Sequence, residues 1–222
     1  MTLAEIINTA IAQAVGPTET ERILNVNREF VQAMVNKAYH RIERVEFWRF
    51  SEAREEIDCE TNTRELPNQP DDIQLVLGMW NLSTGEPMRY LDERQYTPNQ
   101  KARGRVHAYS LWGETVRLWP LPVRADTLEL KYYRKWRDLV AANDEPVIPE
   151  AWQQLLIDYA TGHTILRIPP RGDRFLPASA AQPYLEAFEE GLAEMRMSPL
   201  TLPTADQVPH HDLEDLIAEG EW

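Results

Sequence analysis

The sequence predicts an α+β fold: an N-terminal long helix and a C-terminal helix pair form a helical core, with a central antiparallel β-rich lobe and an extended C-terminal tail. Apolar residues recur at three- and four-residue steps near both ends, as in amphipathic helices. Between about residues 51 and 147 the period changes to two, which is typical of half-buried strands. These changes divide the chain into core helices (1–50), an inserted β-rich lobe (51–147), further core helices (148–196) and an acidic, proline-containing docking tail (197–222).

Two helices are predicted in the N-terminal part. The first begins with the capping box of Thr2 and Glu5 and ends before Gly16. A second capping box begins at Thr18, and neither Gly nor Pro interrupts the sequence from there to about residue 46. A helix over that whole stretch would be roughly 40 Å long. Its predicted apolar stripe consists of Ile23, Phe30, Val31, Met34, Val35, Ala38, Ile42 and Val45.

The β-rich lobe is predicted from six alternating stretches separated by Pro-, Asn- and Gly-containing turns. In the last stretch Leu128, Leu130 and Tyr132 should face one way and the polar residues between them the other. Such a pattern is typical of an antiparallel sheet, which commonly has one buried face and one solvent-exposed face. The predicted strands are 54–59, 73–80, 86–90, 105–111, 114–119 and 127–136.

The C-terminal part is predicted to hold a helix over about 149–167 and a second one up to about 196, which begins either at a Ser179 cap or with Pro183 in its first turn. Residues 197–222 then contain three prolines and six carboxylates but no Lys or Arg. A short helix capped by Asp212 would present Leu213, Leu216 and Ile217 on one side. Such a helix is marginal alone, so we expect it to order only when it docks in a groove.

Composition excludes several classes of protein. The net charge is −13 with a pI near 4.9, and such an acidic chain repels phosphate backbones, which disfavours tight DNA or RNA binding. The single cysteine, Cys59, cannot form an intramolecular disulfide. Neither a signal peptide nor a run of about 18 apolar residues is recognised. We therefore expect a soluble protein made in a reducing cytoplasm.

Catalytic signatures are missing from the sequence. There is no glycine-rich phosphate loop, GxSxG elbow or HExxH zinc helix. Neighbouring carboxylates do not provide the separated pair that acid–base catalysis needs. No catalytic, cofactor-binding or metal-ligating residue is therefore predicted, and no cofactor. A small metal-dependent hydrolase is the alternative, and it would require distant carboxylates such as Asp58 and Asp158 to converge.

One basic cluster stands out, the KARGR segment that contains Lys101, Arg103 and Arg105. These side chains are candidates for a ring or partner interface, because they could bind phosphate or an acidic surface. The alternative is a solvated loop that leads into a strand. A DNA-binding regulator is a third interpretation, against which the acidic balance argues.

Several stretches, taken in order, resemble the head-to-tail adaptor (connector, or head-completion) proteins of tailed bacteriophages. FWRF at 47–50 is similar to the aromatic end of that family's long helix, and ELP at 65–67 with DDI at 71–73 is similar to its turn before an apolar strand. YSLWG at 109–113 and VRLWPLP at 116–122 resemble its central ribbon. TLELKYY at 127–133 and PVIPEAW at 146–152 complete the series, so that the resemblance covers roughly residues 20–196.

The resemblance implies a structural virion protein, not an enzyme, that forms a ring, commonly of twelve copies, in the neck between capsid and tail after synthesis in the host cytoplasm. Its implied partners are itself, the portal protein and the next neck or tail component, with non-specific passage of genomic DNA and no membrane. Twelve copies at −13 each would carry −156, which would let DNA slide without adhering. Another neck or tail-completion component, such as a stopper, is the alternative. The candidates for docking to the portal are Leu213, Leu216, Ile217 and Trp222.

Overall fold

A computed structural model of the protein describes residues 1–15, 27–92, 102–167, 177–199 and 201. The chain divides into a helical unit, Met1–Phe50 with Trp136–Leu202, and a β unit, Ser51–Lys135 with Pro203–Trp222. The α+β class predicted from the sequence is confirmed. The second boundary follows Lys135 rather than residue 147, and Trp136 and Leu139 are buried in the core of the helical unit.

The helical unit contains four α-helices and three 3₁₀ turns in its described residues. The N-terminal capping box is formed as predicted: Thr2 N donates to Glu5 Oε2 at 2.7 Å, and Glu5 N donates to Thr2 Oγ1 at 3.4 Å. The helices are α1 (Leu3–Val15), α2 (Arg28–Val45), α3 (Gln154–Arg167) and α4 (Gln182–Met197), and the 3₁₀ turns are Arg49–Ser51, Glu150–Trp152 and Ala178–Ala181.

Helix α2 is shorter than the predicted rod. Asn27 has extended backbone angles, φ −69° and ψ 102°, and its side chain accepts a hydrogen bond from Phe30 N at 3.1 Å. That side chain caps the helix and so makes Arg28 its first residue. Eighteen residues span about 27 Å, so the prediction of one uninterrupted 40 Å helix is wrong. The second capping box and Ile23 lie outside the described residues.

Helix α3 is buried on most of its circumference, where the sequence predicted one apolar face. It packs against α1, α2 and α4, and Thr161 and Thr164 are as buried as Leu156. Leu166, near the end of the same helix, is 51% exposed. Because α3 has neighbours on three sides, tertiary packing determines which of its residues are buried.

The irregular segment 136–149 is held to α2 by side-chain hydrogen bonds. Asn36 Nδ2 donates to Leu139 O at 3.1 Å, while Leu139 N donates to Asn36 Oδ1 at 2.9 Å. Gln32 Nε2 also donates to Leu139 O, at 3.0 Å. Leu3 N at the start of α1 donates to Asp144 O at 2.8 Å. Polar side chains thus satisfy backbone groups for which this segment has no regular partner.

The β unit is built on its last strand, which pairs with two others. Strand β9 lies between β1 and β2, antiparallel to both, with Leu128 opposite Ile57 and Leu130 opposite Met79. The predicted alternation of β9 is confirmed, since Leu128, Leu130 and Tyr132 are buried and the residues between them half-buried. The strands are β1 (Glu52–Cys59), β2 (Ile73–Asn81), β3 (Glu86–Pro87), β4 (Arg89–Tyr90), β5 (Arg103–Gly104), β6 (Ala108–Trp112), β7 (Thr115–Trp119), β8 (Leu121–Pro122) and β9 (Asp126–Arg134).

Two details of the lobe differ from the sequence prediction. The strand predicted over 86–90 is divided at Met88, which is buried, so that β3 extends the four-stranded sheet and β4 joins a three-stranded one. The lobe is also not wholly antiparallel, because β4–β6 and β5–β8 are parallel pairs. The β6–β7 hairpin turns as predicted, with Gly113 at φ +60°.

Candidate interaction surfaces

Arg105 takes part in a buried polar cluster of the β unit. Its Nη2 lies 3.3 Å from Asp126 Oδ1, and Arg124 Nε lies 3.7 Å from the same oxygen. Asn81 Nδ2 donates to Asp126 Oδ2 at 3.2 Å and to Val106 O at 3.0 Å. Asp126 is only 4% exposed, so the positive charge of Arg105 balances a carboxylate within the same chain.

The other members of the basic cluster are placed differently. Arg103 is exposed, and its Nη1 donates to Asn62 Oδ1 at 3.4 Å. Lys101 lies outside the described residues. An interface role for Lys101, Arg103 and Arg105 stays a prediction. Of the two described arginines, Arg103 has its charge on the surface, whereas that of Arg105 is directed at Asp126.

The candidates for docking to the portal, Leu213, Leu216, Ile217 and Trp222, also lie outside the described residues, and their role stays a prediction. The last described residue, Thr201, is 1% exposed. Arg49 N donates to Thr201 O at 2.8 Å, and Thr201 Oγ1 donates to the carbonyl groups of Ser198 and Met195. The chain is therefore packed into the helical unit beyond residue 197, where the sequence placed the start of the tail.

The carboxylates considered for a hydrolase bind neighbouring side chains. Asp58 Oδ1 accepts from Thr127 Oγ1 at 2.9 Å. Asp158 Oδ1 accepts from Gln154 Nε2 at 2.8 Å, and burial raises the pKa of Asp158 although this hydrogen bond lowers it. Within the described ranges, no group of three or more His, Cys, Asp or Glu side chains could hold a metal ion.

The thiol of Cys59 is not accessible to solvent. It is fully buried, and burial, together with the charges of Asp126 and Glu60, raises the pKa of its thiol to about 11. Because the thiolate is the reactive form, this thiol is unreactive at neutral pH. As to membranes, none of the helices in the part of the chain that is described has the length and hydrophobicity to cross a bilayer.

His40 joins α2 to the segment 136–149. Its Nδ1 lies 2.8 Å from Glu43 Oε2, and its Nε2 lies 2.5 Å from Asp138 Oδ1. Burial alone would lower the pKa of His40, but the hydrogen bonds and charges of the two carboxylates raise it overall. His163 on α3 shows the opposite shift. It packs against the Tyr159 ring at 4.4 Å between centroids, and its pKa is lowered by burial and then by nearby positive charges.

The outer side of α2 carries a row of positive charge. Ala33, Lys37, Arg41 and Arg44 are exposed and recur at three- and four-residue steps, so they lie along one side of the helix. We call these four residues the basic ridge. Arg41 Nη2 lies 2.7 Å from Glu189 Oε1 of α4.

The outer side of α4 carries a row of negative charge. Glu186, Glu189, Glu190 and Glu194 are all exposed, and we call them the acidic ridge. Three of them line an open groove of about 550 Å³ beside Leu166 of α3. Apart from the Arg41–Glu189 pair, no ion pair joins the two ridges within the described part of the chain.

Neither ridge is among the surfaces predicted from the sequence. A signal was present, because Glu186, Glu190 and Glu194 recur at four-residue steps, and Lys37, Arg41 and Arg44 recur at four and three. This spacing predicts that each helix has a charged side opposite its buried side. The sequence placed both helices in one core, but it could not indicate that Arg41 and Glu189 meet there.

Comparison with known proteins gives one clear result. The family model described as SU10 adaptor protein matches residues 1–209, a range that includes nearly all of both units. No curated protein matches the chain.

Proposed function

Because the chain belongs to the SU10 adaptor protein family, a family of phage head–tail adaptors, we propose that it forms a ring beneath the portal, extends the DNA channel and provides the platform for tail attachment. The family is one of structural phage proteins, not known as enzymes, that associate with portal and tail components in the virion neck. The single observation that carries the proposal is the extent of the match, residues 1–209 of 222.

The charge of the chain supports passage of DNA through such a ring. Each copy carries −13, and a bore that exposes part of this charge repels phosphates and prevents adhesion. The copy number that we propose, twelve, comes from the resemblance to adaptor proteins.

The most direct experiment is electron microscopy of the full chain mixed with portal rings from the same phage. We expect an added collar on one end of the portal, with the symmetry of the portal, that is missing from portal rings alone. A stopper would bind only after another protein had formed such a collar. Portal rings that remain bare at saturating protein concentration would contradict the adaptor role.

We also propose that the tail binds in grooves of the portal through Leu213, Leu216, Ile217 and Trp222. The contacts of Thr201 show where to truncate: removal of residues 203–222 keeps Thr201, whereas removal from 197 would also disturb the helical unit. We expect the 203–222 deletion to abolish or strongly weaken portal binding in sedimentation assays.

A matched variant keeps the length and charge of the tail but replaces Leu213, Leu216 and Ile217 with Ser. Loss of binding in both variants would assign the effect to the apolar side chains. Unchanged portal binding by the deletion variant would remove the docking role of the tail, and the ring proposal would then rest on other surfaces.

A further inference from the structure

We propose that neighbouring copies in the ring bind through the basic ridge of α2 on one copy and the acidic ridge of α4 on the next. This inference rests on the proposed ring and specifies its subunit interface. A ring of identical copies requires a head-to-tail contact, in which two different surfaces of each copy are complementary to one another. The two ridges lie on different helices and share no residue, and the Arg41–Glu189 pair that joins them within one copy leaves Lys37, Arg44, Glu190 and Glu194 for contacts with neighbours.

The charged residues of the two ridges are opposite in sign and extend over similar lengths. Lys37 and Arg44 are seven residues apart, which is about 10.5 Å along a helix, and Glu186 and Glu194 are eight apart, about 12 Å. Ala33 on one ridge and Ala193 beside the other are exposed and small. Two helices with small residues at these positions can approach closely while the longer charged side chains meet.

Most of these charges are not neutralised within the subunit. Arg41 is paired with Glu189, and both side chains are about half-exposed, at 46% and 54%. Lys37, Arg44, Glu190 and Glu194 form no ion pair with any other residue that the structure describes. These four outer charges are therefore available to a neighbouring copy.

The overall charge makes such a pairing important. Copies that carry −13 each repel one another, so a self-contact requires a surface of opposite sign to oppose the acidic one. Complementary charges at an interface determine orientation and partner choice more than total affinity. The groove beside the acidic ridge, with Leu166 and Leu185 in its lining, adds apolar surface that a neighbour can bury.

Charge reversal tests the inference in the full chain with portal rings from the same phage. Lys37→Glu places an acidic side chain against the neighbour's acidic ridge, and Glu190→Lys places a basic side chain against the neighbour's basic ridge. Each variant should therefore raise the protein concentration needed for half-maximal collar formation by roughly tenfold or more. The double variant Lys37→Glu/Glu190→Lys restores opposite signs across every contact. We expect it to form collars within about threefold of the unaltered concentration.

A mixture provides a second, stricter readout. In a ring that alternates the two single variants, each reversed ridge meets a ridge of opposite sign, so an equimolar mixture should form collars at a protein concentration at which neither variant does so alone. Recovery by mixing is specific to a head-to-tail contact between these two ridges. Failure of both the mixture and the double variant to recover, with folding confirmed by circular dichroism, would overturn the inference.

Matched controls carry the same changes of charge on the exposed side of β1. Arg54→Glu and Glu56→Lys should leave collar formation unchanged; equal losses in these variants would mean that net charge governs assembly and would overturn the local pairing. Collars formed normally by both single ridge variants would contradict this interface alone. No collar from the unaltered chain would contradict the ring itself and the interface with it.

Discussion

The helical unit and the β unit differ in where their charged side chains point. On the helical unit, Lys37 and Glu190 lie on exposed helix sides. In the β unit, Arg105 is turned toward Asp126, which is buried. Basic residues that look equivalent in the sequence therefore have different roles: one set is available to partners, and the other compensates a carboxylate inside the fold.

The two units also differ in how their cores are assembled. The helical core surrounds α3, whose neighbours are regular helices that form from local sequence. The core of the β unit depends on β9, whose partner residues on β1, such as Ile57 opposite Leu128, are distant in the chain. Each unit has its own cluster of buried residues, so we expect substitutions to affect mainly the unit that contains them.

The largest loss of stability is expected when a large buried side chain in either core is replaced by alanine. Phe188→Ala in the helical unit should lower the free energy of unfolding by about 3–5 kcal/mol, and Leu130→Ala in β9 by about 2–5 kcal/mol, because both side chains are fully buried. Hydrogen exchange should show the loss of protection in the altered unit only. Equal loss of protection in both units would mean that they unfold as one.

The next effect concerns the buried carboxylate of the β unit. Asp126→Ala removes the acceptor for Asn81 and Arg105 and should cost about 2–3 kcal/mol in denaturant unfolding. Arg124→Ala is the matched control, with an expected change within about 0.5 kcal/mol, because the Arg124 side chain is 55% exposed and its Nε lies 3.7 Å from Asp126 Oδ1. A loss below about 0.5 kcal/mol for Asp126→Ala would contradict the structural role of this cluster.

A smaller effect on stability is expected from substitution of two glycines at the contact between α3 and α4. A Cβ at Gly162 would lie 2.7 Å from Leu185 Cδ2 and 2.8 Å from its Cγ, whereas one at Gly191 would approach mainly the terminal Cδ2 of Leu155, at 2.4 Å. Alanine gains about 1 kcal/mol of helix propensity at either site, and overpacking costs about 1–3 kcal/mol.

Rotation of the terminal methyl groups of Leu155 can relieve the clash at Gly191. The same rotation in Leu185 does not relieve the clash at Gly162, because that clash also involves the branching carbon, Cγ. We therefore expect Gly162→Ala to be net destabilising in thermal unfolding and Gly191→Ala to be closer to neutral. The reverse order would show that α3 and α4 separate more easily at Gly162 than the structure indicates.

The smallest effect is the pH dependence of the helical unit, in which two histidines act in opposite directions. The pKa of His40 is raised, so its stabilisation is full below about pH 6.5 and is lost as the pH rises through its folded pKa. The pKa of His163 is lowered, so its contribution is present above about pH 6.5 and is lost as the pH falls through its folded pKa.

Each contribution should be below about 1 kcal/mol, because both rings are partly exposed. His40→Gln should make the stability rise between pH 6 and 8 relative to the unaltered chain, and His163→Gln should make it fall, in urea denaturation series. Identical pH profiles for the two variants would contradict the assigned shifts.

Local patterns determined much of this molecule. The capping box of Thr2 and Glu5, the buried side of α1 and the alternation of β9 depend only on residues a few positions apart, and all are as predicted. The order of the turn and packing motifs led to the adaptor resemblance, and the family match confirms it. None of these features needs knowledge of distant contacts.

The rest was decided by tertiary structure. The burial of Thr161 on α3, the division of a predicted strand at Met88 and the inward direction of Arg105 all result from neighbours distant in sequence. A periodic pattern indicates that a side is apolar or charged, but it does not indicate what lies opposite. Sequence alone therefore determined most of the elements and the family, whereas packing decided which charges are neutralised inside the chain and which stay exposed.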